Sequence, residues 1–148
     1  GGGKFLNYLD ITNSTSKLAG LDHSDEMVKL AQKVTKKYIA TNRMSIIKAS
    51  VDKLGFDDNS FDLITAFETV QFWPNPSTSF KEIFRVLKPN GKLVILNHYP
   101  KQGTKWYEIA KLKSEQEYIM QLENAGFSTI ETDLATKKGW IIVLTIKS

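Results

Sequence analysis

Two kinds of hydrophobic pattern alternate along the chain. Apolar residues at three- and four-residue spacing predict helices; short apolar runs without polar interruption predict strands covered on both faces. After three glycines, Phe5, Leu6 and Leu9 form a short helical face, and 17–22 (KLAGLD) reads as a buried strand ending in an acid. In 24–41, Met27, Leu30, Ala31, Val34 and Tyr38 share one helical face, with Ser24 as the cap and Asp25 and Glu26 in the first turn. Strands follow at 44–49 and 61–67, separated by a DDNS turn at 57–60. Phe80, Ile83, Phe84 and Leu87 predict a further helix, stopped by KPNG at 88–91, before the apolar run 92–98. Ser114 and Glu117 form a capping box for a helix ending at Ala125-Gly126. STIETDL and WIIVLTIK then predict an antiparallel hairpin turning around 137–139. Strand and helix alternate throughout, so the expected class is a three-layer α/β sandwich.

Composition changes this picture little. The 148 residues are 41% hydrophobic, enough for one domain with a real core. The absence of cysteine excludes disulfides, thiolate metal sites and a cysteine nucleophile, and is compatible with a reducing, cytoplasmic setting. No apolar run approaches the roughly 20 residues of a membrane helix, and the start has no signal-peptide pattern, so neither membrane nor targeting is expected. The net charge of +4 comes from lysines interspersed with acids, not from a basic stripe with aromatics, so no nucleic-acid partner is expected.

The opening GGGKFLNYLD carries the first chemical signal. Glycines at a chain start are also what tag removal leaves, but here they run directly into a helix. Asp22 lies 19 positions beyond Gly3, at the end of the next strand. In nucleotide-binding α/β units one helix and one return strand bring an acid at about that spacing to the ribose hydroxyls. Asp22 is also readable as a plain strand-end acid. A glycine turn of this kind follows a strand, and none precedes Gly1, so the expectation is that the domain is N-terminally incomplete.

Four stretches, in order, resemble the class I S-adenosylmethionine-dependent methyltransferases of the methyltransferase type 11 kind. GGGKFLNYL is similar to the tail of the glycine-rich first motif and LDHSDEMV to the second. KASVDKLGFDDNSFDLITAFETVQFW and SFKEIFRVLKPNGKLVIL resemble the stretches around the fourth and fifth strands. The resemblance covers nearly the whole chain. It implies a Rossmann-like sheet of seven strands in the order 3-2-1-4-5-7-6, strand 7 antiparallel, with strand 1 upstream of residue 1. It also implies a vacancy between 17–22 and 61–67 in the chain as it stands, and S-adenosylmethionine as cofactor.

The same resemblance implies residue roles. Gly1 and Gly3 approach the cofactor's methionine portion, Asp22 holds the ribose with His23 beside it, and Ser50 and Val51 read the adenine edge. Met27 either lies against the adenine or packs in its helix face. Phe67 lines the methyl end of the pocket. Glu68, Thr69, Gln71, Phe72 and Trp73 follow as a mixed polar and aromatic patch at the expected substrate mouth, although Phe72 and Trp73 also read as a seat for the next helix. Trp106 and Tyr107 either close over the pocket or pack on the sheet edge.

Ser50 stands where the family commonly has an acid, Gly55 replaces a proline, and Asn90 replaces a glycine. The sulfonium methyl is already electrophilic, so positioning supplies much of the rate. A base is needed only when the acceptor must lose a proton, and Glu68 and His98 are the candidates, with His23 a poor third. Two histidines far apart and no cysteine give no metal cluster by spacing. The expected activity is methyl transfer to a small-molecule acceptor. The alternatives are a non-catalytic S-adenosylmethionine-binding module and an NAD-dependent oxidoreductase, the latter opposed by Leu6 at the third glycine position of G-x-G-x-x-G.

Overall fold

The computed structural model describes residues 18–22, 44–48, 53–135 and 139–148, the first two segments and Ala135 by backbone alone. Its strands are β1 (Leu18–Asp22), β2 (Met44–Lys48), β3 (Phe61–Phe67), β4 (Leu87–His98), β5 (Thr129–Ala135) and β6 (Trp140–Ile146). Its α-helices are α1 (Pro76–Val86), α2 (Lys105–Ile109) and α3 (Glu115–Ala125), with a 3-10 turn at Val70–Phe72. The strands form one sheet in the order β2-β1-β3-β4-β6-β5, with β6 antiparallel to both of its neighbours.

This corrects the expected vacancy between 17–22 and 61–67. β1 pairs directly and in parallel with β3, Leu18 opposite Leu63 and Leu21 opposite Ala66, so the described sheet has six strands and no vacancy between them. The physical reason is that two facing rows of backbone donors and acceptors must find partners, and here they find each other. The six strands succeed one another as the other six of the expected order do. Of the three expected layers, the predicted helix over 24–41 lies outside the described residues.

Each described helix starts and stops for a local reason. Pro76 occupies the first turn of α1, where its missing N–H costs nothing, and the Asn75 side chain accepts from Thr78 N at 3.4 Å. Phe80, Ile83 and Val86 give α1 its buried face. Leu87 already has extended geometry and begins β4, whose pairing with β3 is irregular between Phe61 and Leu63. Asn90 takes φ 67°, a left-handed conformation that asparagine tolerates better than most residues, which explains its standing in for glycine. In α3 the Ser114 hydroxyl accepts from Glu117 N at 3.2 Å, and the Glu117 carboxylate accepts from Lys113 N. Gly126 closes α3 at φ 114°. A Cβ there would also stand 3.0 Å from the Phe84 ring, so glycine lets α3 end against α1.

Between sheet and helices lies a core that includes Ile64, Phe80, Ile83, Leu93, Ile95, Leu122 and Ile141, none of them exposed. Glu82 and Arg85 tie α1 to the segment before β3. Arg85 forks onto Glu82 at 2.6 and 3.0 Å and reaches Asp58 at 2.7 Å, while Leu54 N donates to Glu82 at 2.9 Å. The Arg85 hydrogen bond holds the Glu82 carboxyl below its ordinary value against the opposing effect of burial.

Candidate functional site

In parallel sheets, ligands bind beyond the carboxyl ends of the strands, where loops and helix starts converge. β3 ends at Phe67, and the ladder with β4 brings Phe67 opposite Leu96. Glu68 continues that ladder by donating its N–H to Leu96 O at 2.8 Å, yet its own φ is 53°. A left-handed glutamate is uncommon, and conformations of this kind persist where surrounding bonds over-determine them.

Those bonds run to His98, the last residue of β4. His98 N–H donates to Glu68 Oε1 at 2.6 Å, and His98 Nδ1 lies 2.5 Å from Glu68 Oε2. Both carboxylate oxygens are thus engaged by a single histidine, one through its backbone and one through its ring. An ionised carboxylate has no hydrogen to give, so Nδ1 carries the proton and the lone pair of a neutral ring falls on Nε2. The pair is partly open to solvent, with side chains 26% exposed at Glu68 and 41% at His98.

Two tryptophans wall the imidazole. The β4–β6 register places Trp140 opposite His98, and their rings stack at 4.3 Å. Trp106 of α2 stacks at 5.7 Å, tilted by 5°. Beside this stack a cleft is lined by Val70, Gln71, Asn97, His98, Leu112 and Tyr118, among others, with Trp106 at its mouth. Burial pushes the Tyr118 hydroxyl up, with the Glu68 charge and Tyr99 adding to it, so the phenol keeps its proton.

The two candidate bases, separated by 30 positions in sequence, are therefore in direct contact. Of the predicted cofactor residues, Asp22 closes β1 on the same carboxyl edge, one position beyond the Leu21–Ala66 pair and opposite Lys48. Phe67 is buried at the tip of β3 and is not among the residues lining the cleft. Gly1, Gly3, His23, Met27, Ser50 and Val51 lie outside the described residues. Trp73 packs edge-on against Phe80 at 5.3 Å, the helix seat, whereas Phe72 is 42% exposed. Trp106, 45% exposed, stacks on His98.

Sequence reasoning missed Trp140 and α2. The signal for Trp140 was the hairpin itself: an antiparallel strand returning beside β4 from residue 140 has to bring its first side chain to the last residue of β4. Among the described residues no group of three or more His, Cys, Asp or Glu is placed to hold a metal, and no helix is long and apolar enough to cross a membrane.

The sequence pattern of the family described as a methyltransferase domain matches residues 1–95. A demethylmenaquinone methyltransferase of Lactiplantibacillus plantarum is 41% identical over 54% of this chain and 34% of its own length. A sterol 4-C-methyltransferase of Caenorhabditis elegans is 30% identical over 68% of the chain and 31% of its own length, so the chain spans about a third of either relative. Among solved structures, a SAM-dependent methyltransferase from Aquifex aeolicus superposes with a TM-score of 0.73 at 24% identity, over 100% of this chain and 78% of that one. On the sequence match over residues 1–95, and with a Rossmann-like fold in agreement, the chain belongs to the methyltransferase domain family, the class I methyltransferases whose cofactor is S-adenosylmethionine.

Proposed function

We propose that the protein transfers a methyl group to a small-molecule acceptor whose nucleophilic atom carries a proton, and that His98 Nε2 removes that proton. The observation that carries this reading is the double engagement of Glu68 by His98, at 2.6 and 2.5 Å. Glu68 is then not the base. Its oxygens are spent on fixing the tautomer and aim of the imidazole, and its charge favours the imidazolium that forms when the acceptor's proton arrives. The stacked tryptophans restrict the rotation of the ring.

The bound cofactor supplies an electrophilic methyl on a sulfonium. In this reading Asp22 accepts from the ribose hydroxyls, Gly1 and Gly3 give the methionine portion close backbone approach, and Phe67 packs toward the methyl end. In the same reading Ser50 and Val51 read the adenine edge, His23 flanks Asp22, and Met27 is the candidate for the adenine face. The strand-tip position of Asp22 on the edge that carries Glu68 and His98 fits this assignment. The relatives' names, a demethylmenaquinone and a sterol methyltransferase, support a small molecule as acceptor.

The test compares wild type with His98→Gln for S-adenosylhomocysteine affinity and for methyl transfer to a panel of phenols, hydroquinones and amines. The expected result is unchanged cofactor affinity with turnover lower by roughly 10²–10⁴-fold. Turnover unchanged in His98→Gln would remove the base, and no affinity for S-adenosylhomocysteine in wild type would remove the activity.

A further inference from the structure

Four buried side-chain polar atoms have no hydrogen-bond partner among the described residues, and two of them belong to the cleft beside His98. They are Gln71 Oε1 and Asn97 Oδ1, on residues only 8% and 4% exposed. In each amide the nitrogen already faces a carbonyl: Gln71 Nε2 donates to Glu68 O at 3.3 Å and Asn97 Nδ2 to His98 O at 3.5 Å. Turning either amide over would bring oxygen against oxygen, so the orphaned atoms are acceptors. Buried acceptors without donors are costly and uncommon in native proteins.

Two such acceptors in one cleft ask for a donor from outside the chain. Val70, Leu112 and Trp106 give the cleft its apolar wall, with His98 and the Tyr118 hydroxyl as further polar groups. Lys111, the cation of the lining, is exposed at the rim. A carboxylate or phosphate would put its oxygens against amide oxygens with the Glu68 carboxylate close behind. An ether or a hydrocarbon would leave the acceptors unmet.

From this we infer that the cleft takes an uncharged head group with two hydrogens to give, a primary amine or a pair of neighbouring hydroxyls, on a small apolar body, with Gln71 and Asn97 accepting one hydrogen each. This deepens the methyltransferase reading by naming the acceptor class, and rests on it only in calling the bound molecule the methyl acceptor. It also carries a consequence for the protein without ligand: Gln71 and Asn97 are specificity residues held at the expense of stability.

The experiment uses the full chain and three probes, catechol, veratrole and benzoate, titrated against the fluorescence of the tryptophans with and without S-adenosylhomocysteine. Catechol, with one hydrogen for each acceptor, is expected to bind at least about tenfold more tightly than veratrole or benzoate. Gln71→Leu and Asn97→Leu, tested separately, each remove one of the two acceptors and are expected to lower the catechol-to-veratrole ratio at least about threefold while leaving the melting temperature of the free protein unchanged or raised. If one variant fails to fold, the other decides. Equal binding of catechol and veratrole, tighter binding of benzoate, or no catechol binding overturns the inference, as does a lowered melting temperature with selectivity intact. Failure of S-adenosylhomocysteine to bind counts against the methyltransferase reading instead, and leaves the catechol-to-veratrole ratio as a separate result.

Discussion

Replacing Glu68 by Gln isolates what the carboxylate does for His98. Glutamine keeps the length, the hydrogen-bonding plane and the left-handed backbone, so the strain at φ 53° is the same in both proteins. The amide oxygen can go on accepting from His98 N–H, now 2.6 Å from Oε1. The amide nitrogen must then face Nδ1, now 2.5 Å from Oε2, and two N–H donors cannot share one bond. The ring has to move its proton to Nε2, which turns the outward nitrogen from acceptor into donor. A charge-assisted hydrogen bond is worth about 1.5–3 kcal/mol, and partial exposure of the pair favours the low end, so the competent tautomer falls by about tenfold. The imidazolium also loses its counter-charge, at about 1–2 kcal/mol in a partly solvated setting, for roughly another tenfold. The expected loss of turnover is therefore on the order of 10², with cofactor affinity unchanged.

Two measurements check this reasoning. Because the chain has only two histidines, ¹⁵N spectra of the imidazoles assign readily and report the tautomer of His98 without any acceptor present. Proton on Nδ1 in wild type and on Nε2 in E68Q is the expected pair of results. In turnover, the double variant E68Q/H98Q is expected to match His98→Gln alone, since Glu68 acts through His98. A His98 ring that keeps its Nδ1 proton in E68Q, or turnover within threefold of wild type, would refute the positioning role.

Asp22→Ala is expected to weaken S-adenosylhomocysteine binding by about 2–4 kcal/mol, roughly 30- to 1000-fold, with a melting temperature near wild type; calorimetric titration beside a thermal melt reads both. The Glu82 carboxyl, held low by Arg85, contributes stability that is present above the unfolded carboxylate value and lost as pH falls through the folded one. Melting temperature should thus drop below about pH 4.5 in wild type and more gently in Glu82→Gln, and parallel curves would argue against this linkage. Lys147→Met removes an ammonium that donates to Leu87 O and Phe84 O at 2.8 Å each and to Asn59 Oδ1 at 3.0 Å. A loss of about 2 kcal/mol, roughly 4–8 °C in melting temperature, is expected from a thermal scan.

How far the sequence spoke depended on whether a signal was local. The Ser114 cap, the Gly126 stop and β3 at 61–67 were legible because caps, left-handed glycines and uninterrupted apolar runs act within a few residues. β4 began five residues earlier than its apolar run, since Leu87 to Gly91 join the strand through an irregular pairing that no periodicity records. The direct β1–β3 pairing was misread because motif order was taken to require a strand between them, whereas backbone groups pair with whatever row faces them. At the site, Glu68 and His98 were each recognisable as strand-end residues, but their mutual bond depends on β3 and β4 lying side by side. Trp140 depends on a further register, between β4 and β6. The orphaned oxygens of Gln71 and Asn97 are invisible in any pattern, because an unmet acceptor is defined only by its surroundings.

The wall that Trp140 gives His98 has a consequence in time. Ribosomes deliver β3, β4 and α2 before β6, so a growing chain holds Glu68, His98 and Trp106 while Trp140, the nearer ring on the imidazole, is still to come. The imidazole gains its nearer stacking partner only when residue 140 zips against residue 98. Any event that peels β6 from β4 afterwards, whether heat or a nick in the hairpin, takes that partner away again, so the setting of His98 is tied to the part of the chain made last among the described strands.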